Sequence, residues 1–238
     1  MSDGTRPSPP SAAQLAFDFP HLPSFADTDF LIAPCNADAV AWIERWPDWP
    51  SPALALVGPA GSGKTHLARI FEARANAVAV LPPSLVGLDP IAALGDARAA
   101  VVDDPETVLA DAAAAEGLFH LYNRLAGVRG HLLLTGRRAP ARWTTALPDL
   151  ASRLATATVA EIAAPDDALL ASILAKLFAD RQLRPSTDVV RYLLARVERS
   201  ADALARVVAA VDRNALARGR AVTVAVASAT LRELGIDE

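Results

Sequence analysis

The segment Gly58-Pro59-Ala60-Gly61-Ser62-Gly63-Lys64-Thr65 constrains this chain more than any other. It follows the apolar run Ala53 to Val57 and opens a helix-period stretch from about Lys64 to Ala75. Strand, glycine loop and helix in that order make a βα unit whose turn matches G-x-x-x-x-G-K-[ST]. The glycines let backbone N–H groups point inward at phosphate oxygens, and the helix N-terminus adds its dipole. Lys64 is placed to reach the outer phosphates and the Thr65 hydroxyl to ligate Mg2+.

The rest of the chain extends that unit into a parallel α/β fold. Further strands are expected at Ala77 to Leu81, Ala99 to Val102, His131 to Thr135 and Ala157 to Ile162, separated by helical stretches such as Glu116 to Ala126. Ahead of the loop, Ala39, Val40, Ile43 and Trp46 recur at helical spacing, with Asn36 as N-cap and Pro47 and Pro50 as the stop. After Pro165 the pattern becomes helical: Asp166 to Asp180, Thr187 to Val197 and Ala201 to Arg218, with Asp166, Ser186 and Ser200 as caps and Gly219 as a stop. A last strand is expected at Ala221 to Val224.

Three segments result. Residues 1–25 carry Pro7, Pro9, Pro10, Pro20 and Pro23 and read as a flexible tail, residues 26–164 as the α/β phosphate-binding domain, and residues 165–238 as a small helical lid. Within the tail, Gln14-Leu15-Ala16-Phe17-Asp18-Phe19 sets large apolar side chains where no core can bury them, which is how docking peptides read.

Composition excludes several classes. No apolar run approaches the roughly 20 residues of a membrane helix, and no signal peptide is evident, so the expected location is cytoplasmic with no membrane partner. The single cysteine, Cys35, rules out an intramolecular disulfide framework and has no zinc-type companion. A net charge of -4 does not supply a general field for DNA, although a local patch is compatible with it.

A second acidic element completes the site. Ala99 to Val102 followed by Asp103-Asp104 has the form of a strand that delivers one carboxylate to the metal and a second to an attacking water. Asp104 is shorter than the glutamate common at the second position, which counts against efficient hydrolysis by this chain.

The P-loop, the Asp103-Asp104 pair, the strand ending Leu133-Leu134-Thr135, the segment Leu150-Ala151-Ser152-Arg153-Leu154 and the helical tail together resemble the AAA+ core of the bacterial replication initiator DnaA, over residues 22 to 238. The resemblance implies a P-loop parallel sheet flanked by helices with a helical lid, and ADP or ATP with Mg2+ as cofactor. Phe30-Leu31-Ile32 with Asn36 is similar to the initiator segment that contacts adenine, so Ile32 and Asn36 join the expected nucleotide set with Gly58 to Thr65 and Thr135. His66 joins them by position, although a histidine this early in a helix more often packs or faces solvent. Thr65 and Asp103 are the expected metal ligands, and Asp104 and Arg153 the catalytic candidates, Arg153 matching the arginine-finger position.

The sequence stops at Glu238, where an initiator continues into a helix-turn-helix domain, and with the acidic balance this implies the Hda family, regulatory relatives of DnaA. Gln14, Leu15, Phe17 and Phe19 look like that family's sliding-clamp-binding motif. The implied partners are DnaA, the clamp, DNA indirectly through the clamp, and a further copy of the chain. Two departures stand out. Arg137 occupies the place of an initiator aspartate, leaving Thr135 as the sensor-1 candidate, and Asp202 falls where the lid arginine is expected, with Arg199 and Arg206 as nearby alternatives. Both remove groups that sense a γ-phosphate, which implies stable ADP binding.

Overall fold

The computed structural model describes residues 30–218 and 221–237. Five strands, β1 (Ala53–Val57), β2 (Val78–Ala79), β3 (Ala99–Val102), β4 (His131–Gly136) and β5 (Thr158–Glu161), form one sheet in the order β2-β3-β4-β1-β5, every neighbouring pair parallel. Each parallel step needs a crossover, supplied by α2 (Lys64–Ala75), α3 (Pro90–Leu94), α4 (Ala112–Gly127) and α5 (Pro148–Ala155), while α1 (Ala37–Glu44) precedes β1.

The central strands are buried on both faces, which is why they read as continuous apolar runs. Side chains alternate in register. Ala53, Ala55, Val57, Ala100, Val102, Leu132 and Leu134 pack one way, against Leu118, Leu121 and Leu125 of α4. Leu54, Leu56, Ala99, Val101 and Leu133 pack the other way, against Ile43 of α1 and Leu67 and Phe71 of α2. Fully burying a leucine or phenylalanine contributes roughly 1.5 to 3 kcal/mol, so the two layers fix the strand register.

A third cluster lies in α6 (Asp167–Ala179), α7 (Thr187–Leu194), α8 (Ala201–Arg218) and α9 (Val224–Glu233), where Leu174, Phe178, Leu193, Val208 and Leu231 pack together. The Asp166 side chain caps α6 by accepting from Leu169 N–H at 2.7 Å, and Ser200 Oγ accepts from Ala203 N–H at 3.2 Å at the start of α8. Among the described residues no helix is long and apolar enough to cross a membrane.

Several expectations are corrected. The strand expected at Ala77 to Leu81 shrinks to Val78–Ala79, because β2 is the sheet edge with one neighbour, and Leu81 is exposed. The strand expected at Ala221 to Val224 is instead the approach to α9: Thr223 is its N-cap, accepting from Val226 N–H at 3.4 Å, and Val226, Ala227, Thr230 and Leu231 form a buried helical stripe. Short β-branched runs mimic strands until such a cap fixes a helix start. Asn36 stands at the N-cap of α1 without a side-chain cap bond. Its Oδ1 accepts from Ala33 N–H at 2.8 Å and its Nδ2 donates to Leu31 O at 2.9 Å, so it braces the incoming segment. Ser186 likewise occupies the N-cap of α7 without a side-chain bond. Gly219 and the segment from Gln14 to Phe19 lie outside the described residues.

Candidate functional site

The site is assembled at the carboxyl ends of β1, β3 and β4. Leu56 pairs with Thr135 and Val102 with Leu134, so β4, lying between the other two, brings Thr135 level with Asp103. A parallel sheet opens its crevice at these ends.

Gly61 and Gly63 take left-handed backbone (φ 72 and 97), a conformation that costs an L side chain roughly 1 to 2 kcal/mol. Gly61 also has no room for one, since a Cβ there would stand 2.5 Å from Ser200 Cβ, at the threshold of α8. The loop is thus roofed by the helical segment. Lys64 folds back over the loop: its Nζ donates to Gly58 O at 2.9 Å, Pro59 O at 2.7 Å and Ser62 Oγ at 3.5 Å. Burial lowers the pKa of its ammonium, Asp104 and Asp103 act in the opposite sense, and the positive charge of Arg137 adds to the lowering. These carbonyls hold the cation at the mouth of the loop, where a phosphate can take over as its partner.

The acidic pair is tied to both neighbouring strands. Thr65 Oγ1 donates to Asp103 Oδ2 at 2.9 Å. Thr135, 1% exposed, donates its hydroxyl to Asp103 Oδ1 and accepts from Asp104 N–H at 2.9 Å. One hydroxyl proton and its lone pairs therefore fix the carboxylate and the backbone of the next residue together. Asp104 is held in left-handed backbone, φ 53 and ψ 50, which aspartate tolerates better than most residues.

A cleft of about 510 Å³ runs from this loop to the lid, walled by Phe30, Leu31, Asn36 and His66 on one side and by Pro165, Leu169, Ile173 and Asp202 on the other. His66 meets the Phe30 ring edge-on, with centroids 5.3 Å apart. A volume of that order accepts a nucleotide-sized ligand. The residues fit the group implied by the loop. A glycine-rich loop, a lysine and a helix start suit a polyphosphate, and a threonine hydroxyl beside an aspartate suits Mg2+, a hard cation that keeps most of its waters. Among the described residues no cluster of three or more His, Cys, Asp or Glu could hold another metal.

The expected residues separate accordingly. Gly61 to His66 and Asn36 line the cleft, while Gly58 and Pro59 serve through their carbonyls. Ile32 does not line it: its side chain packs against the second core layer, and Phe30 and Leu31 take the expected place. Asp103, Asp104 and Thr135 are not among the residues lining the cleft; they are bonded to one another beside it, with Asp103 reached by Thr65. Asp202 does stand on the wall, as expected for the lid position, whereas Arg199 is drawn off to Asp167 and Pro165 O. Arg153, in the last turn of α5, is exposed and outside the cleft, its guanidinium 6.0 Å from the Tyr122 ring. Arg69, Lys176 and Asp180, at the cleft rim, carry no sequence signal, because only the folded lid brings α6 opposite α2.

No known protein-family model matches the sequence. Among solved structures, domain III of the replication initiation protein DnaA of Thermotoga maritima is similar, with a TM-score of 0.75 and 18% identity over 86% of this chain and 94% of that one. AMPPCP-bound DnaA of Aquifex aeolicus gives a TM-score of 0.62 and 17% identity, over 74% and 61%. A variant of Thermotoga maritima RuvB gives 0.66 and 17%, over 85% and 69%. The architecture is therefore that of an AAA+ P-loop fold. Within that class it is the arrangement of DnaA domain III, a five-stranded parallel sheet followed by a helical unit.

Proposed function

We propose that this chain is a regulator of chromosomal replication initiation of the Hda type, which holds an adenine nucleotide with Mg2+, docks on the sliding clamp and stimulates ATP hydrolysis in DnaA. The DnaA-like fold supports the class, and the cleft supports the nucleotide, since AMPPCP occupies the similar DnaA of Aquifex aeolicus. The observation that carries the regulatory reading is Arg153, an exposed arginine in the last turn of a short helix and outside the lining of its own cleft. A planar, permanently charged fork stabilises a γ-phosphoryl in transfer, and such an arginine can be supplied in trans to a phosphate site in a partner. Gln14, Leu15, Phe17 and Phe19 would supply the clamp contact, and DNA would be reached through the clamp.

The deciding experiment is single-turnover ATP hydrolysis by DnaA in the presence of DNA-loaded clamp and this protein. Arg153→Ala should remove the stimulation, since arginine fingers contribute roughly 10³ to 10⁵ in rate, and Arg153→Lys should restore little. Removing residues 1–20 should abolish clamp binding and leave nucleotide binding intact. Stimulation at the wild-type rate by Arg153→Ala would overturn the finger assignment, and clamp co-elution of the truncated chain would overturn the docking one.

A further inference from the structure

The cleft does not end at the phosphate loop and the aromatic wall: its outer end carries two cations, Arg69 and Lys176, that the site so far leaves unused. Two helices fix where that end lies, and both begin at the loop. α2 starts at Lys64. The start of α6 is held nearby through Arg199, which binds Asp167 and Pro165 O, while the next residue, Ser200, sits against Gly61. At about 1.5 Å per residue, Arg69 lies about 7.5 Å along α2 from Lys64, and Lys176 about 10.5 Å along α6 from Leu169. Before them on the same helices come His66, edge-on to Phe30, and Leu169 and Ile173. The apolar wall therefore separates both cations from the loop.

The two are held differently. Arg69 is exposed, and among the described residues its guanidinium has no hydrogen-bond or ion-pair partner. Lys176 Nζ donates to Asp180 Oδ2 at 3.1 Å and Oδ1 at 3.3 Å, one turn on along α6. That pair is partly exposed, so little is lost when Lys176 turns to another anion. With one carboxylate against two cations, the outer end of the cleft keeps a net positive charge. A nucleotide has three parts, and two of them have seats. Its 5′-phosphates suit the loop and its base suits the apolar wall, which leaves the ribose, whose hydroxyls can carry a further phosphate. We propose that Arg69 and Lys176 form a second anion subsite, which takes a phosphate on the ribose of a bound adenine nucleotide. The inference rests on the reading of the cleft as a nucleotide site. The planar fork of Arg69 can pair two phosphate oxygens at once, and Lys176 adds a point charge from the facing helix.

The test titrates the full chain, in Mg2+, with ADP and with ADP phosphorylated on the ribose 2′ or 3′ hydroxyl. One of the two phosphorylated ligands should bind the wild type about tenfold tighter than ADP or better, as expected for a charge-assisted contact to one added phosphate. Arg69→Ala should bring that ratio within about threefold and Lys176→Gln should lower it, whereas Arg74→Ala, on the same helix but outside the cleft lining, should leave it unchanged. A wild-type ratio within about threefold for both isomers, a ratio that survives Arg69→Ala or Lys176→Gln, or an equal loss in Arg74→Ala would overturn the inference. Wild-type protein that binds ADP but gains nothing from the ribose phosphate overturns it alone. Wild-type protein that does not bind ADP removes the nucleotide site as well.

Discussion

Replacing Thr135 by valine isolates the joint that ties the acidic pair to the sheet. Valine keeps the branched shape, so no large cavity opens, but it removes the hydroxyl that donates to Asp103 Oδ1 and accepts from Asp104 N–H at 2.9 Å. A hydrogen bond to an ionised carboxylate is worth roughly 1.5 to 3 kcal/mol and a neutral one roughly 0.5 to 1.5. Asp103 and Asp104 are only half-buried, so water recovers part of both losses, and Thr65 still holds the other Asp103 oxygen. The net cost should be about 1 to 3 kcal/mol, read as a shift in denaturant midpoint at unchanged slope. Asp103 also loses its lateral restraint, so nucleotide affinity should become less sensitive to Mg2+ concentration in the variant than in the wild type. A midpoint shift worth less than about 0.3 kcal/mol together with an unchanged Mg2+ dependence would refute the joint as described.

Two further perturbations probe other links. Lys64→Ala should weaken nucleotide by about tenfold to a hundredfold or more while the melting temperature of the free protein stays nearly constant, because the Nζ bonds lie within the loop and brace no other element; unchanged affinity in a titration would sink the phosphate-site reading. His131 packs edge-on against Trp49 at 5.2 Å, and burial lowers its pKa, partly opposed by Asp48. Its folded pKa lies below the unfolded value near 6.5, so the unfolded chain binds the proton first and stability falls as pH drops from about 6.5 toward the folded value. His131→Phe should therefore gain on the wild type in denaturant midpoint between about pH 7.5 and about pH 5.5, and a constant gap across that range would count against the cause.

What was legible in the sequence follows from how local each signal is. The phosphate loop is contiguous, so Gly58 to Thr65 could be read before any fold was known. β1 and β3 were equally plain, since strands buried on both faces must be apolar throughout. α4 begins earlier than its periodicity showed, at Ala112, because its first turn is alanine and the start is set by Asp111 accepting from Ala114 N–H at 3.0 Å. The bonds of Thr135 to both aspartates depend on β4 passing between β1 and β3, a pairing that no window of sequence contains. The lid wall of the cleft, Leu169 and Ile173 among it, was hidden for the same reason: its residues read as an ordinary apolar stripe until α6 is set across from α2.

The same topology separates holding a nucleotide from acting on another protein. Every residue of the phosphate site leaves the carboxyl end of a parallel strand or begins the helix after it. Arg153 sits in the last turn of α5, only a few residues before β5 begins at Thr158, and so lies toward the amino ends of those strands. β5 is four residues long, and at about 3.3 Å per residue it alone interposes roughly 13 Å between the two ends. An arginine side chain does not span that distance and round the sheet to its own loop. The Tyr122 ring, 3% exposed, lies beneath the guanidinium at 6.0 Å and gives it an apolar seat without neutralising it. A charge seated in this way stays available to an anion brought by another molecule.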